Sequence, residues 1–200
     1  MLSLKDRIEL LENDLKMNPP AFTMSSDLPF AIFRYDPQLE NENEWQMRKE
    51  IQHLKVRVEN ATGRQITILP LSTLFWQSIE ESEGVETIVQ LEKERGFEAA
   101  QEQVSVYLSD PDWRPLPDLL KEAAVQMDPR KEFVFFTRCS TFAPHMYRVS
   151  SLLEQLMGKT KVPAVLFYPG SWRGSLNYMS MKSDEQPLGS YRVKIYGRET

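Results

Sequence analysis

The segment VPAVLFYPG, residues 162–170, is an unbroken apolar run that ends in a Pro-Gly turn signal. A run of this kind is typical of a strand buried on both faces, as in a parallel sheet covered by helices. Three more segments share this character: LPFAIFRYD at 28–36, RQITILPL at 64–71 and EFVFFTRC at 132–139. Because helical patterns separate them, the sequence predicts parallel strands joined by helical crossovers.

Helical periodicity marks much of the chain between these strands. Near the N-terminus, apolar residues recur at helical spacing at Leu4, Ile8, Leu11 and Leu15. Ser3 and Asp6 form a capping-box pattern at the start of that helix. A second amphipathic pattern runs from Trp45 to Gly63, where a glycine is suited to the helix C-cap.

The region at 72–130 departs from a simple crossover. It carries nearly continuous helical patterns, with a predicted cap at Ser72, a helix end at Gly84 and a weak point at Gly96. This is longer than one crossover requires, so we expect an exposed, acidic helical insertion that could form a partner-binding surface. Two later segments, SLNYMSM and YRVKIYG, predict a C-terminal β excursion.

The predicted fold class is therefore α/β, with a mainly parallel central sheet flanked by helices. It is similar to Rossmann and P-loop folds but has no Walker motif. The length of 200 residues favours a single α/β domain over residues 1–200, with the helical insertion at 72–130 inside it.

Composition argues against several classes of protein. Cys139 is the only cysteine, which excludes an internal disulfide framework and a cysteine-rich zinc site, and two histidines leave little for a histidine-based metal centre. No apolar run approaches the roughly 18 residues of a membrane span, so we expect a cytoplasmic protein without a membrane segment. We expect no cofactor.

The net charge of −5 is unevenly distributed. Residues 138–200 hold nine Lys and Arg against four Asp and Glu, a charge of +5, so residues 1–137 carry −10. DNA-binding surfaces concentrate Lys and Arg to neutralise phosphates, so the overall balance argues against direct nucleic-acid binding. The basic C-terminal third leaves a DNA-contacting subunit as an alternative.

In an open α/β sheet, ligands bind beyond the carboxyl ends of the strands. The candidate ligand residues at those ends are Arg138, Cys139, His145, Tyr168 and Gly170. Cys139 beside an arginine could be an activated nucleophile, but a buried, inert cysteine is the favoured interpretation. The turn GSWRGS at 170–175 has an arginine and no lysine, unlike a P-loop. We predict no catalytic residue, and a nucleotide-binding or hydrolytic subunit using these strand ends stays an alternative.

An acidic cluster follows the first predicted strand: Asp36, Glu40, Glu42 and Glu44. Hard cations bind carboxylate oxygens, so a divalent cation could be held there. The neighbouring proline and asparagines favour a solvated loop and helix start instead.

Two Trp-Arg pairs stand in predicted turns. Trp113 and Arg114 lie in DPDWRPLP, and Trp172 and Arg173 lie in PGSWRG. Trp and Arg are enriched among the residues that anchor interfaces. These four residues are therefore the candidate partner-binding residues.

The C-terminal block resembles a known family. SSLLEQLMGKTKVPAVLFYPG at 150–170, LNYMSM at 176–181 and the terminal YRVKIY at 191–196 are similar to motifs of the BrxB family of bacterial BREX phage-exclusion systems. The resemblance is specific over about residues 133–196. Tyr178 and Val193-Lys194 stand where the family pattern has Phe and Pro-Arg.

The resemblance implies a small component of a multi-gene phage defence system. Such systems also contain a DNA methyltransferase, PglX, a large ATPase, BrxC, and an alkaline-phosphatase-like protein, PglZ. The family has no established catalytic residues to carry over. The resemblance thus implies a non-enzymatic adaptor subunit with PglZ as its main expected partner, and with BrxC and PglX as further candidates.

Overall fold

A mostly parallel sheet contains all of the predicted apolar strands. Its strands are β1 (Phe30–Tyr35), β2 (Gln65–Pro70), β3 (Glu132–Thr137), β4 (Ala164–Trp172), β5 (Leu176–Tyr178) and β6 (Lys194–Tyr196). The strand order is β2-β3-β4-β1-β6, and β5 pairs with β4 off this path. The apolar run that predicted the fold is therefore the middle strand, and the predicted α/β class is confirmed.

This structure is a computed structural model that describes residues 2–24, 28–143, 146–156, 158–172, 176–179 and 193–197. The chain divides into two compact units. The sheet unit comprises Met1–Leu69, Met127–Thr137 and Lys161–Thr200, and the helical unit comprises Pro70–Gln126 and Arg138–Thr160. The predictions of a single domain and of an insertion at 72–130 stay predictions.

In the sheet unit, two helices cover one face of the sheet. They are α1 (Leu4–Lys16) and α3 (Glu44–Thr62), with the short α2 (Ala21–Met24) between them. Apolar residues of α1 and α3 share one buried cluster with alternate strand residues, among them Phe33, Phe135 and Phe167. Burying each such side chain contributes about 1.5–3 kcal/mol. The remaining residues of β1 are buried too, which explains its continuous apolar run.

The caps of these helices follow the sequence. Ser3 and Asp6 form the predicted capping box at the start of α1, with both reciprocal hydrogen bonds present. Gly63 ends α3 in the left-handed conformation at a φ of 70°, which glycine adopts without steric cost.

Strand register brings specific residues together at the carboxyl edge of the sheet. β1 runs parallel to β4 from the pair Phe30 and Ala164 to the pair Tyr35 and Pro169. β6 runs parallel along the other side of β1, and β5 pairs antiparallel with the end of β4. The predicted C-terminal β excursion thus extends the sheet around β1 and β4.

The helical unit contains five α-helices among its described residues: α4 (Leu71–Ser82), α5 (Val85–Arg95), α6 (Phe97–Ser109), α7 (Leu116–Ala124) and α8 (Val149–Gln155). The predicted helix end at Gly84 is confirmed, and the predicted weak point at Gly96 is a full helix boundary, where the two glycines adopt φ angles of 82° and 88°. The predicted cap at Ser72 is wrong. Ser72 lies within α4, whose N-cap is Pro70, so no side chain caps this helix.

Within the described residues, no helix is both long and apolar enough to cross a membrane.

Candidate functional site

Arg34 occupies the carboxyl end of β1, in the sheet unit. Its side chain is buried although β1 is otherwise apolar. Nε donates to the carbonyl oxygen of Gly197 at 2.9 Å, and Nη1 donates to that of Gly170 at 3.3 Å. One guanidinium thus links the ends of β1, β4 and β6, at the edge where α/β folds commonly bind ligands.

A second buried arginine lies on the same strand end. Arg7 of α1 is only 1% exposed, and its Nη1 donates to the carbonyl oxygen of Arg34 at 2.6 Å. Its Nη2 forms an ion pair with Glu42, which is also buried. The other oxygen of Glu42 accepts from the backbone N–H of Asp36 at 2.9 Å. These bonds tie α1 and the chain after β1 to the sheet.

Burial of the Arg7–Glu42 pair explains why both side chains also form hydrogen bonds to the backbone. Burial lowers the pKa of the Arg7 guanidinium, Glu42 opposes that shift, and the positive charge of Arg34 adds to it. A buried ion pair is tolerated when further hydrogen bonds replace the lost hydration. The backbone contacts of Arg7 and Glu42 supply those bonds.

One member of the acidic cluster after β1 departs from the prediction, while Glu40 is exposed and Glu44 begins α3, as expected for a loop and a helix start. Glu42 is buried against Arg7, so the expectation of a solvated loop is wrong for this residue. Glu44 accepts a hydrogen bond from the Tyr35 hydroxyl at 2.5 Å. Among the residues that the structure describes, no group of three or more His, Cys, Asp or Glu is placed to hold a metal ion.

The candidate ligand residues fall in two places. Tyr168 and Gly170 lie on β4, where the Tyr168 ring packs edge-on against Tyr178 at 5.9 Å. A Cβ on Gly170 would come within 2.1 Å of the carbonyl oxygen of Asn177, so this glycine permits the close approach of β5. The packing of β5 against β4 therefore explains the glycine at position 170 without a ligand.

The other candidates belong to the helical unit. Arg138 is exposed and adopts a left-handed conformation at a φ of 57°. Cys139 is fully buried at the start of the short 3-10 helix Cys139–Phe142. His145, like Arg173, lies outside the described residues. A ligand-binding role for this set stays untested.

The three described residues of the Trp-Arg pairs make contacts within their own units. Trp113 is half-buried, with its ring 5.0 Å from that of Tyr107. Arg114 donates to Glu81 at 2.6 Å and to both carboxylate oxygens of Glu122 at 2.8 and 2.9 Å. Trp172 is half-buried on β4, opposite Leu176 of β5. That the two Trp-Arg pairs bind a partner stays a prediction.

Helix α5 lies within the region that the sequence predicts to be exposed and acidic. None of its residues is buried, although it packs on α6. Its half-buried apolar residues are Val85, Ile88 and Leu91. Val89 is 42% exposed, and Phe97 at the start of α6 is 62% exposed. The signal for this exposure was the density of glutamates around a weakly amphipathic helix.

Comparison with known proteins identifies the family. No curated protein and no solved structure matches the chain. A family model described as BREX protein BrxB matches residues 67–194, which is more than half of the chain and includes most of the block whose motifs resemble that family. The chain belongs to the BrxB family of BREX proteins.

Proposed function

We propose that this chain is a non-enzymatic adaptor subunit that binds other proteins of its BREX system, with PglZ as the direct partner. Membership of the BrxB family makes it a component of a BREX phage defence system. The observation that carries the adaptor role is helix α5, which has no buried residue and exposes Val89, together with the exposed Phe97 at the start of α6. Exposed apolar surface rimmed by polar residues is typical of protein interaction sites.

The carboxyl edge of the sheet supports the same proposal. Arg34 is committed to the carbonyl oxygens of Gly170 and Gly197, and Arg7 is committed to Glu42 and to the Arg34 carbonyl. These two arginines could attract an anionic ligand to the end of β1, but their guanidinium groups already form hydrogen bonds and an ion pair within the chain. We infer that the edge serves stability rather than chemistry.

Capture from cells tests the proposal. The tagged chain is purified from cells that carry the complete BREX system, and the retained proteins are identified by mass spectrometry. We expect PglZ among them, in an amount comparable to the bait. Recovery of the tagged chain alone, without any BREX protein, would contradict the adaptor role.

A nucleotide titration of the purified chain provides the matching control. A ligand at about 100 times its Kd stabilises a protein by about 2.7 kcal/mol, which a thermal melt detects. We expect ATP to leave the melting temperature unchanged. A clear rise would favour a nucleotide-binding subunit over an adaptor.

A further inference from the structure

Helix α5 exposes an apolar side chain between glutamates. Val89 is 42% exposed, and residues three positions away on a helix are its surface neighbours. Those positions hold Glu86 and Glu92, which are both exposed. Phe97 with Glu98 repeats this combination at the start of α6. We name these five residues the hairpin surface.

The charge around this surface is strongly negative. Residues 80–102 contain eight glutamates against one lysine and one arginine, a net charge of −6. Glu81 pairs with Arg114, and Glu83 accepts a hydrogen bond from the Tyr107 hydroxyl. Within the described part of the chain, the three glutamates of the hairpin surface form no ion pair. Their charge is therefore available to a partner.

The base of the hairpin is fixed by hydrogen bonds. The buried Ser78 of α4 donates to the carbonyl oxygen of Tyr107 on α6 at 3.2 Å, and the Tyr107 hydroxyl donates to Glu83, the C-cap of α4. A surface held on packed helices is ordered before binding, which lowers the entropic cost of association.

The sign of the charge discriminates among occupants. A second copy that docks through the same surface would bring −6 against −6, and DNA, RNA and anionic lipid surfaces also carry negative charge. Juxtaposed like charges cost several kcal/mol in an interface. A complementary occupant must therefore carry Lys and Arg beside the apolar side chains that cover Val89 and Phe97.

We propose that the hairpin surface binds a basic amphipathic segment of another BREX protein. This inference rests on the proposed adaptor function and adds the location of the contact and the chemistry of the partner. The apolar residues supply the affinity, and the glutamates supply attraction and orientation.

Variants of the tagged chain test this inference in cells with the complete BREX system. The charge variant is Glu86→Lys with Glu92→Lys, and its control, Glu9→Lys with Glu40→Lys, changes the net charge equally on exposed residues of the sheet unit. The apolar variant is Val89→Ser, and its control is Val56→Ser, since Val56 is 53% exposed on α3. Thermal melts check that each variant is folded, and Glu86→Gln with Glu92→Gln serves if the reversal unfolds the helix.

We expect the charge variant and the apolar variant each to capture about tenfold less of the BREX protein than the wild-type chain does. A tenfold loss of affinity corresponds to about 1.4 kcal/mol of binding free energy. Both controls should retain wild-type amounts. Raising salt from about 0.1 M to 1 M, where the screening length falls from about 10 to 3 Å, should also release the wild-type complex.

Wild-type capture that persists in both variants would overturn the inference and leave the adaptor function standing. Equal losses in variants and controls would overturn it as well, because the effect would then be one of net charge. A dimer of the purified chain that Val89→Ser dissociates would make a second copy the occupant. Failure of the wild-type chain to capture any BREX protein would remove both proposals together.

Discussion

Two arginines hold the carboxyl end of β1 in place. Arg7 and Glu42 form a buried ion pair, and Arg34 binds the carbonyl oxygens of the two neighbouring strand ends. The sequence did not predict this network, because neither the spacing of Arg7 and Glu42 nor their helix and loop contexts indicate contact. Long-range pairing of polar residues depends on the tertiary fold, whereas apolar periodicity is local.

Removing one member of the buried pair should destabilise the sheet unit strongly. Glu42→Gln leaves the Arg7 charge without its counter-ion, and breaking a buried pair in this way costs about 3–5 kcal/mol. Urea denaturation measures the free energy of unfolding. Glu40→Gln, on an exposed neighbour, should change it by no more than about 0.5 kcal/mol. Equal effects of the two substitutions would contradict the role given to Glu42.

Gly170 makes a second prediction at this scale. A Cβ there would lie 2.1 Å from the carbonyl oxygen of Asn177 and 3.0 Å from the Tyr168 ring, so Gly170→Ala must push β5 away from β4. We expect a loss of about 1–3 kcal/mol, as for other overpacked sites. Ser171→Ala is the matched control, since its buried hydroxyl has no hydrogen-bond partner among the described residues and its removal should cost little. Gly170→Ala at wild-type stability would contradict the close approach.

Helix boundaries show which features local sequence predicts and which features it does not predict. Gly63 and Gly84 mark helix ends at the expected positions, because a positive φ is a local requirement that glycine meets. Ser72 was a misleading cap signal, since α4 begins directly after β2 at Leu71 without any side-chain cap. The exposure of Val89 on α5 was beyond local prediction too, because exposure depends on what packs against a helix.

The bond that holds α6 to the start of α5 gives a pH-dependent prediction. Burial, followed by the hydrogen bond and the charge of Glu83, raises the pKa of Tyr107 to about 12. A raised pKa means that the folded state holds the proton more tightly, so this stability is present below pH 10 and is lost as pH rises towards 12. Wild-type protein should therefore lose more stability than Tyr107→Phe between pH 9 and about pH 12.

Thermal melts of both proteins across this range measure the difference. Other buried tyrosines titrate in both proteins and cancel in the comparison. Parallel curves for wild type and Tyr107→Phe would show that the Tyr107 proton is not held by the fold.

At the scale of the whole molecule, the α/β class was predictable because continuous apolar strands and intervening helical patterns are strong local signals. The family was predictable from motifs around the middle strand, and the family match at 67–194 confirms it. The surface that we propose for partner binding was predictable only in outline. The sequence indicated an acidic helical region, and the structure added the exposure of Val89 and Phe97 within it.

The central claim is that this chain works by binding another BREX protein. Isothermal titration of purified PglZ into the purified chain tests it most directly. We predict saturable binding that weakens from about 0.1 M to 1 M salt, because the hairpin surface attracts a basic partner. Absence of any saturable heat at low salt, with both proteins folded, would contradict the account.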